Sequence, residues 1–186
     1  MKQINWKKVT PKSLAAIIRK KLQEYNIESI LVGGACVAIY TKNKYQSYDL
    51  DYVIYEEISK LEKPLKELGF KKEGNFFKNK KCIYFIEFVS SPVAIGDQLI
   101  KKFQTLKTSF GSIKLLTPTD CVKDRLAAYY YWDDKQSLEQ AILVACSQKI
   151  NLINIKNWST KEKQLKKYNI FIEKLKKIKG KKCSKK

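Results

Sequence analysis

Asp49 and Asp51 stand one residue apart in the run Ser47-Tyr48-Asp49-Leu50-Asp51. In a strand, residues i and i+2 point to the same face. This spacing therefore sets two carboxylates side by side, while Leu50, Tyr52 and Ile54 turn toward a core. Adjacent carboxylates repel unless a cation lies between them. A hard divalent ion, Mg²⁺ or Mn²⁺, suits such oxygen donors and leaves room for the oxygens of a triphosphate. Upstream, Gly33-Gly34 ends an apolar stretch and makes a tight turn from strand to helix. Backbone N–H groups at such a turn, with the helix N-terminus behind them, can hold phosphate. Ser47 offers a hydroxyl nearby. A third acid, Glu87, interrupts the apolar run Ile83-Tyr84-Phe85-Ile86-Glu87-Phe88-Val89. Burying an unpaired carboxylate is costly, so Glu87 needs a metal to ligate, a lysine partner or a wet sheet edge.

The elements that must position these groups are legible from periodicity. Thr10-Pro11 caps an amphipathic helix over residues 11–25, with Leu14, Ile17, Ile18, Leu22 and Tyr25 on one stripe. A strand over Ile27–Val32 leads through Gly33-Gly34 into a short helix, Ala35–Tyr40. A polar loop to Ser47 precedes the strand Asp49–Tyr55. Residues 57–68 are expected to be helical despite Pro64, and strands follow near Phe76 and over Cys82–Val89. Pro92 and Gly96 mark a loop, and Phe103–Leu106 with Ser112–Leu116 form a hairpin about Gly111. Thr117-Pro118-Thr119-Asp120 starts a helix reaching about Tyr131, and another spans Ser137–Cys146. Ser159-Thr160-Lys161-Glu162 has the form of a capping box, which predicts the start of a last helix there. Its expected stripe is Leu165, Tyr168, Ile172, Leu175 and Ile178. Core packing is the expected role of Tyr129, Tyr130, Tyr131 and Trp132, and Trp158 is expected to anchor the last helix.

Composition narrows the chemistry. Histidine is absent, which excludes His-based catalysis and His-ligated zinc. The five cysteines are scattered and never spaced C-x-x-C, which points to free thiols in a reducing compartment. The stretch Met1–Pro11 has no apolar run, and no later segment nears the roughly 20 apolar residues of a membrane span. A cytoplasmic protein without membrane attachment is expected. The net charge is +20, carried almost wholly by lysine, since Arg19 and Arg125 are the only arginines. Such a surface suits a polyanion held by its phosphates more than by its base edges. Residues 161–186 hold 12 Lys against 2 Glu, a composition that fits a nucleic-acid arm and a solvated helix face equally.

Taken together, Gly33-Gly34, the Asp49/Asp51 pair and Glu87 resemble the signature of the polymerase-beta-like nucleotidyltransferase superfamily. The Ser47-x-Asp49-x-Asp51 form is similar to the branch that holds abortive-infection toxins. The block from Leu116 to Ala128, with Pro118, Asp120 and Lys123, resembles the helix that follows the catalytic sheet in that branch. The resemblance covers roughly residues 27–145. It implies an α+β fold, a mixed sheet with flanking helices, followed by a C-terminal helical extension. The expected division is a catalytic core over 1–116, a helical region over 117–180 and a disordered basic tail over 181–186.

The same resemblance implies Mg²⁺- or Mn²⁺-dependent transfer of an NMP from an NTP to an acceptor hydroxyl. Asp49, Asp51 and Glu87 would hold metal and act in catalysis. Gly33, Gly34, Ser47, Lys123, Arg125 and Asp134 would bind the nucleotide. The expected acceptor is RNA, a tRNA 3′ end above all. A partner protein of a toxin–antitoxin pair comes second, and cationic small molecules such as aminoglycosides third. A non-catalytic nucleic-acid-binding module on the same fold is the alternative outside enzymes.

Overall fold

The computed structural model describes residues 4–183. A 3-10 turn at Trp6–Lys8 leads into α1, Pro11–Gln23, whose N-terminus is closed by a reciprocal pair. Thr10 Oγ1 accepts from the Ser13 backbone N–H, and Ser13 Oγ accepts from that of Thr10. β1, Ser29–Val32, runs directly into α2, Gly33–Tyr40, and β2 follows as Asp49–Ile54. The helix expected over 57–68 divides into a 3-10 turn, Ile58–Leu61, and a short α3, Glu62–Glu67. Pro64 falls in the first turn of α3, where its missing N–H costs no helical hydrogen bond.

β3, Lys71–Glu73, and β4, Phe76–Lys78, form a hairpin whose first strand has no apolar alternation to reveal it. β5, Phe85–Ser90, begins three residues later than expected, because Cys82 N–H turns back to the Asn79 carbonyl. The expected loop around Gly96 folds as a small hairpin, β6 (Ala94–Ile95) and β7 (Gln98–Leu99). β8 (Phe103–Thr108) and β9 (Gly111–Leu116) make the hairpin that the sequence predicts. The helical part comprises α4 (Pro118–Trp132), α5 (Lys135–Ser147), α6 (Leu152–Lys161) and α7 (Leu165–Cys183). Of the expected basic tail, 181–183 continue α7, and 184–186 lie outside the described residues.

Seven strands form one mixed sheet in the order β3-β4-β5-β2-β1-β9-β8. β1 is antiparallel to β2 and parallel to β9, while β2 is parallel to β5. The two faces of β2 and β5 differ sharply. Leu50, Tyr52, Ile54, Ile86 and Phe88 are buried, with Tyr52 stacked on Phe88 and its hydroxyl donating to the Ala15 carbonyl of α1. Asp49, Asp51, Phe85 and Glu87 alternate with them on the other face and remain partly exposed.

The C-terminal helices corrected two expectations. Ser159 does not open a helix. It lies near the end of α6, with its hydroxyl buried against Tyr130 and donating to the Ile155 carbonyl. The start of α6 is capped instead by Asn151, whose side chain accepts from Asn154 N–H. α7 starts only after Lys163, which takes a left-handed conformation. Trp158 therefore anchors α6, stacked on Tyr130 with its indole N–H donating to the Ile95 carbonyl. The aromatic run splits: Tyr129 and Tyr130 are core, while Tyr131 and Trp132 are exposed. In α7, Tyr168, Phe171 and Leu175 are buried, whereas Leu165 and Ile178 at the ends of the expected stripe are exposed. The described cysteine thiols at 36, 82, 121 and 146 are free, as the scattered spacing predicts.

The capping assignment gives a direct expectation. Asn151→Ala should lower stability by about 1 kcal/mol through the lost N-cap. The check is a urea melt showing a lower midpoint at unchanged slope.

Candidate active site

The site grows from the junction of β1, α2 and β2. Gly33 has φ +67, in the left-handed region that L side chains rarely adopt. A Cβ there would also collide with the Asp51 Oδ2 carboxylate oxygen. Glycine is thus demanded twice, by the turn and by the carboxylate that lies against it. Gly34 is needed for contact alone: a Cβ would come within 2.8 Å of Ser47 Oγ. The N-terminus of α2 therefore faces Asp51 and Ser47 at close quarters. Ser47 donates its hydroxyl to Asp49 Oδ1, fixing that carboxylate against the strand entry.

Glu87 arrives through strand pairing. The parallel ladder sets Asp49 opposite Phe85 and Asp51 opposite Glu87. β5 lies inside the sheet, between β4 and β2, so Glu87 is not at an edge. Among the described residues, Asp49, Asp51 and Glu87 make no ion pair, so the lysine-partner reading of Glu87 falls away. Burial, together with the negative charges of Asp49 and Glu87, pushes the Asp51 carboxyl up to about 7, against a smaller opposing pull from Arg125.

Arg125 is the cation that belongs to this neighbourhood. Burial works against its charge, but Asp124 beside it outweighs this and holds the guanidinium firmly protonated. Its Nη2 lies 2.6 Å from Asp124 Oδ2, and Nη1 donates to Gln140 at 3.4 Å. Asp134 caps α5, accepting from the N–H groups of Gln136 and Ser137 and from the Ser137 hydroxyl. That hydroxyl bond is the main cause of its lowered pKa, with Arg125 adding to it. Tyr45 completes the group. Burial and then the Asp49 charge raise its phenol, which also senses Arg125, Asp134 and Asp51.

Lys123 is placed elsewhere. It is buried, two residues from Arg125 and so on a different face of α4. Its Nζ donates to Gln98 Oε1 at 3.0 Å and pairs with Asp120 Oδ1 at 3.3 Å, beneath the β6–β7 hairpin. The structure thus brings Gly33, Gly34, Ser47, Asp49, Asp51, Glu87, Arg125 and Asp134 into one region and leaves Lys123 outside it. Sequence reading gave Asp124 and Tyr45 no role in the site. Asp124 had a visible signal, an acid adjacent to one of only two arginines.

The donor set suits a hard divalent cation: three carboxylates on one face, none neutralised by lysine, with Asp51 protonated more readily than an ordinary acid through its burial and then the charges of Asp49 and Glu87. Among the described residues no three acidic or cysteine side chains close on one point as a finished metal cage. The carboxylates share a face and a field, not a preformed ligand point.

The chain has the nucleotidyltransferase fold. The crystal structure of an antigenic nucleotidyltransferase-like protein from Paracoccidioides brasiliensis aligns with TM-score 0.55 and 15% identity, over 72% of this chain and 74% of that one. The structure of ANT(2'')-Ia in complex with adenylyl-2''-tobramycin aligns with TM-score 0.51, also at 15% identity, over 89% and 99% respectively. Comparisons with protein-family models and with curated proteins find no match. Among the described residues, no helix is long and apolar enough to cross a membrane.

Asp51 sets a pH dependence. In metal-free protein its proton is retained when folded, up to about pH 7, but lost from about 3.8 when unfolded. The folded state then binds more protons across this window, so Asp51's contribution to stability falls as pH rises through it and levels off above. Asp51→Asn has no such term. Its stability relative to the unaltered protein should improve from pH 4 to pH 7 and stay constant beyond, as read by denaturant melts in EDTA. Gly33→Ala should cost at least about 1 kcal/mol from the left-handed backbone alone, and displace Asp51 besides. The same melts, run at pH 7, would register the loss.

Proposed function

We propose that this chain is a metal-dependent nucleotidyltransferase that moves an NMP from an NTP to a hydroxyl of RNA, a tRNA 3′ end being the favoured acceptor. The observation that carries the reading is the register Asp51–Glu87, which sets a third carboxylate beside the Asp49/Asp51 pair. Asp49, Asp51 and Glu87 would hold Mg²⁺ or Mn²⁺. When bound, the ion supplies charge neutralisation at the triphosphate and a lowered pKa for the acceptor hydroxyl. The acceptor oxygen would form a bond to the α-phosphorus as the bond to pyrophosphate breaks, with Glu87 taking the hydroxyl proton. The N–H groups at Gly33 and Gly34 and the N-terminus of α2 orient phosphate oxygens. Ser47 keeps Asp49 turned toward the site. Arg125 would add fixed positive charge near the carboxylates, held by Asp124 and Gln140, with Asp134 close enough to feel it.

The net charge of +20 supports a polyanionic acceptor. It argues against a cationic one such as the aminoglycoside carried by ANT(2'')-Ia. A role within a toxin–antitoxin pair accords with the similarity of the Ser47-to-Asp51 motif and belongs to the same proposal. The test is incubation with each α-³²P-labelled NTP, Mg²⁺ and total cellular RNA. Label should enter RNA with the intact protein and drop at least 100-fold in Asp49→Ala/Asp51→Ala, on the scale of a lost electrostatic site. Label on protein would replace the RNA acceptor with a protein one. No Asp49/Asp51-dependent label on either would overturn the reading.

A further inference from the structure

The open sheet face carries a second row of side chains beside the carboxylates. The ladders set Lys71 opposite Lys78, Lys78 opposite Phe85, and Phe85 opposite Asp49. Partners in register point to one face, and neighbouring strands lie about 4.8 Å apart. Two lysines, a ring and a carboxylate therefore stand in line across four strands, a span of about 14 Å. Phe76, itself opposite Glu87, meets Phe85 edge-on with ring centroids 5.0 Å apart. The two rings form a platform next to Asp49 and Glu87. Both are only partly buried, while Phe77, Ile86 and Phe88, which point the other way, are core.

The platform leads outward to the most basic edge of the sheet. Residues 71–81 include five lysines and one glutamate. Glu73 pairs with Lys78 at 3.3 Å, but both side chains are about half exposed, and such a pair is readily exchanged for a phosphate. Among the described residues Lys71 makes no ion pair. Partly exposed rings followed by cations are what a single-stranded polynucleotide needs, with unpaired base faces for stacking and phosphates between them. A duplex hides its base faces, and an apolar partner would leave Lys71 desolvated without a counter-charge.

We propose that this row is the track of the acceptor: single-stranded RNA, its terminal hydroxyl at Asp49 and Glu87, a base on the Phe85–Phe76 platform, and preceding phosphates along Lys78 and Lys71. The assignment deepens the transferase reading and rests on it for the hydroxyl chemistry, though the binding surface is separable from that chemistry.

The test is anisotropy of a 5′-fluorescein-labelled oligoadenylate octamer, without NTP, on the unaltered protein and on Asp49→Ala/Asp51→Ala. Phe85→Leu should weaken binding about tenfold, and Phe85→Trp should restore it, because stacking and not bulk is what is lost. Lys71→Gln/Lys78→Gln should flatten the log–log salt slope by about 1.4, or about 0.7 for each phosphate contact removed on a single strand. Circular dichroism confirms that each variant is folded. A folded Phe85→Leu that binds the octamer as tightly as the unaltered protein overturns the track, and α-label transfer that persists in that case leaves the transferase standing. Phe85-dependent binding without any label transfer keeps the track and sinks the transferase.

Discussion

Three carboxylates on one sheet face repel one another, and the backbone ladder between β2 and β5 is what forces them together. Strand pairing is indifferent to the charge of the side chains that it aligns. The register is set by the buried face, where Leu50 meets Ile86 and Tyr52 stacks on Phe88. Slipping the ladder by one residue would turn those apolar groups outward. The core thus supplies the free energy that holds Asp51 beside Glu87, and burial first, then the charges of Asp49 and Glu87, raise the Asp51 pKa. Gly33 is the complementary concession, a residue with no side chain where Asp51 needs the space.

Much of this was legible in the sequence because it rests on local patterns. Alternation over Asp49–Ile54 gave the facing of both acids, and Gly33-Gly34 gave the turn behind them. Glu87 could be singled out as an acid in an apolar run, but its opposition to Asp51 depends on pairing between distant segments, which no local pattern records. Lys123 and Arg125 looked interchangeable by sequence. Helix geometry divides them, one toward the β6–β7 hairpin and the other toward the carboxylates. The false helix start at Ser159 arose because a serine followed three residues later by a glutamate is also what a helix end can contain. Burial of its hydroxyl against Tyr130 decided the matter, and that contact is tertiary.

The C-terminal helices act on the site from behind. α4 supplies Arg125 and Asp124, and α5 supplies Gln140 and begins at Asp134, so the charge balance behind β2 comes from residues 124–140. α7 in turn buries Tyr168, Phe171 and Leu175, which ties its lysine-rich exposed side to a packed element. The basic C-terminal segment is therefore, over residues 165–180, a structured cationic surface.

The place of β1 in the middle of the sheet has a consequence for how the chain comes to be folded. Its partners are β2, which follows almost at once, and β9, whose Leu115 is made long after Leu31. During synthesis at about 5–20 residues per second, the β1–β2 pair waits several seconds with one apolar edge unpaired. Until β9 arrives that edge is open to the wrong neighbour. The carboxylates of β2 and β5 are all made before β9, so the face that carries them can pair while the other side of β1 still stands open.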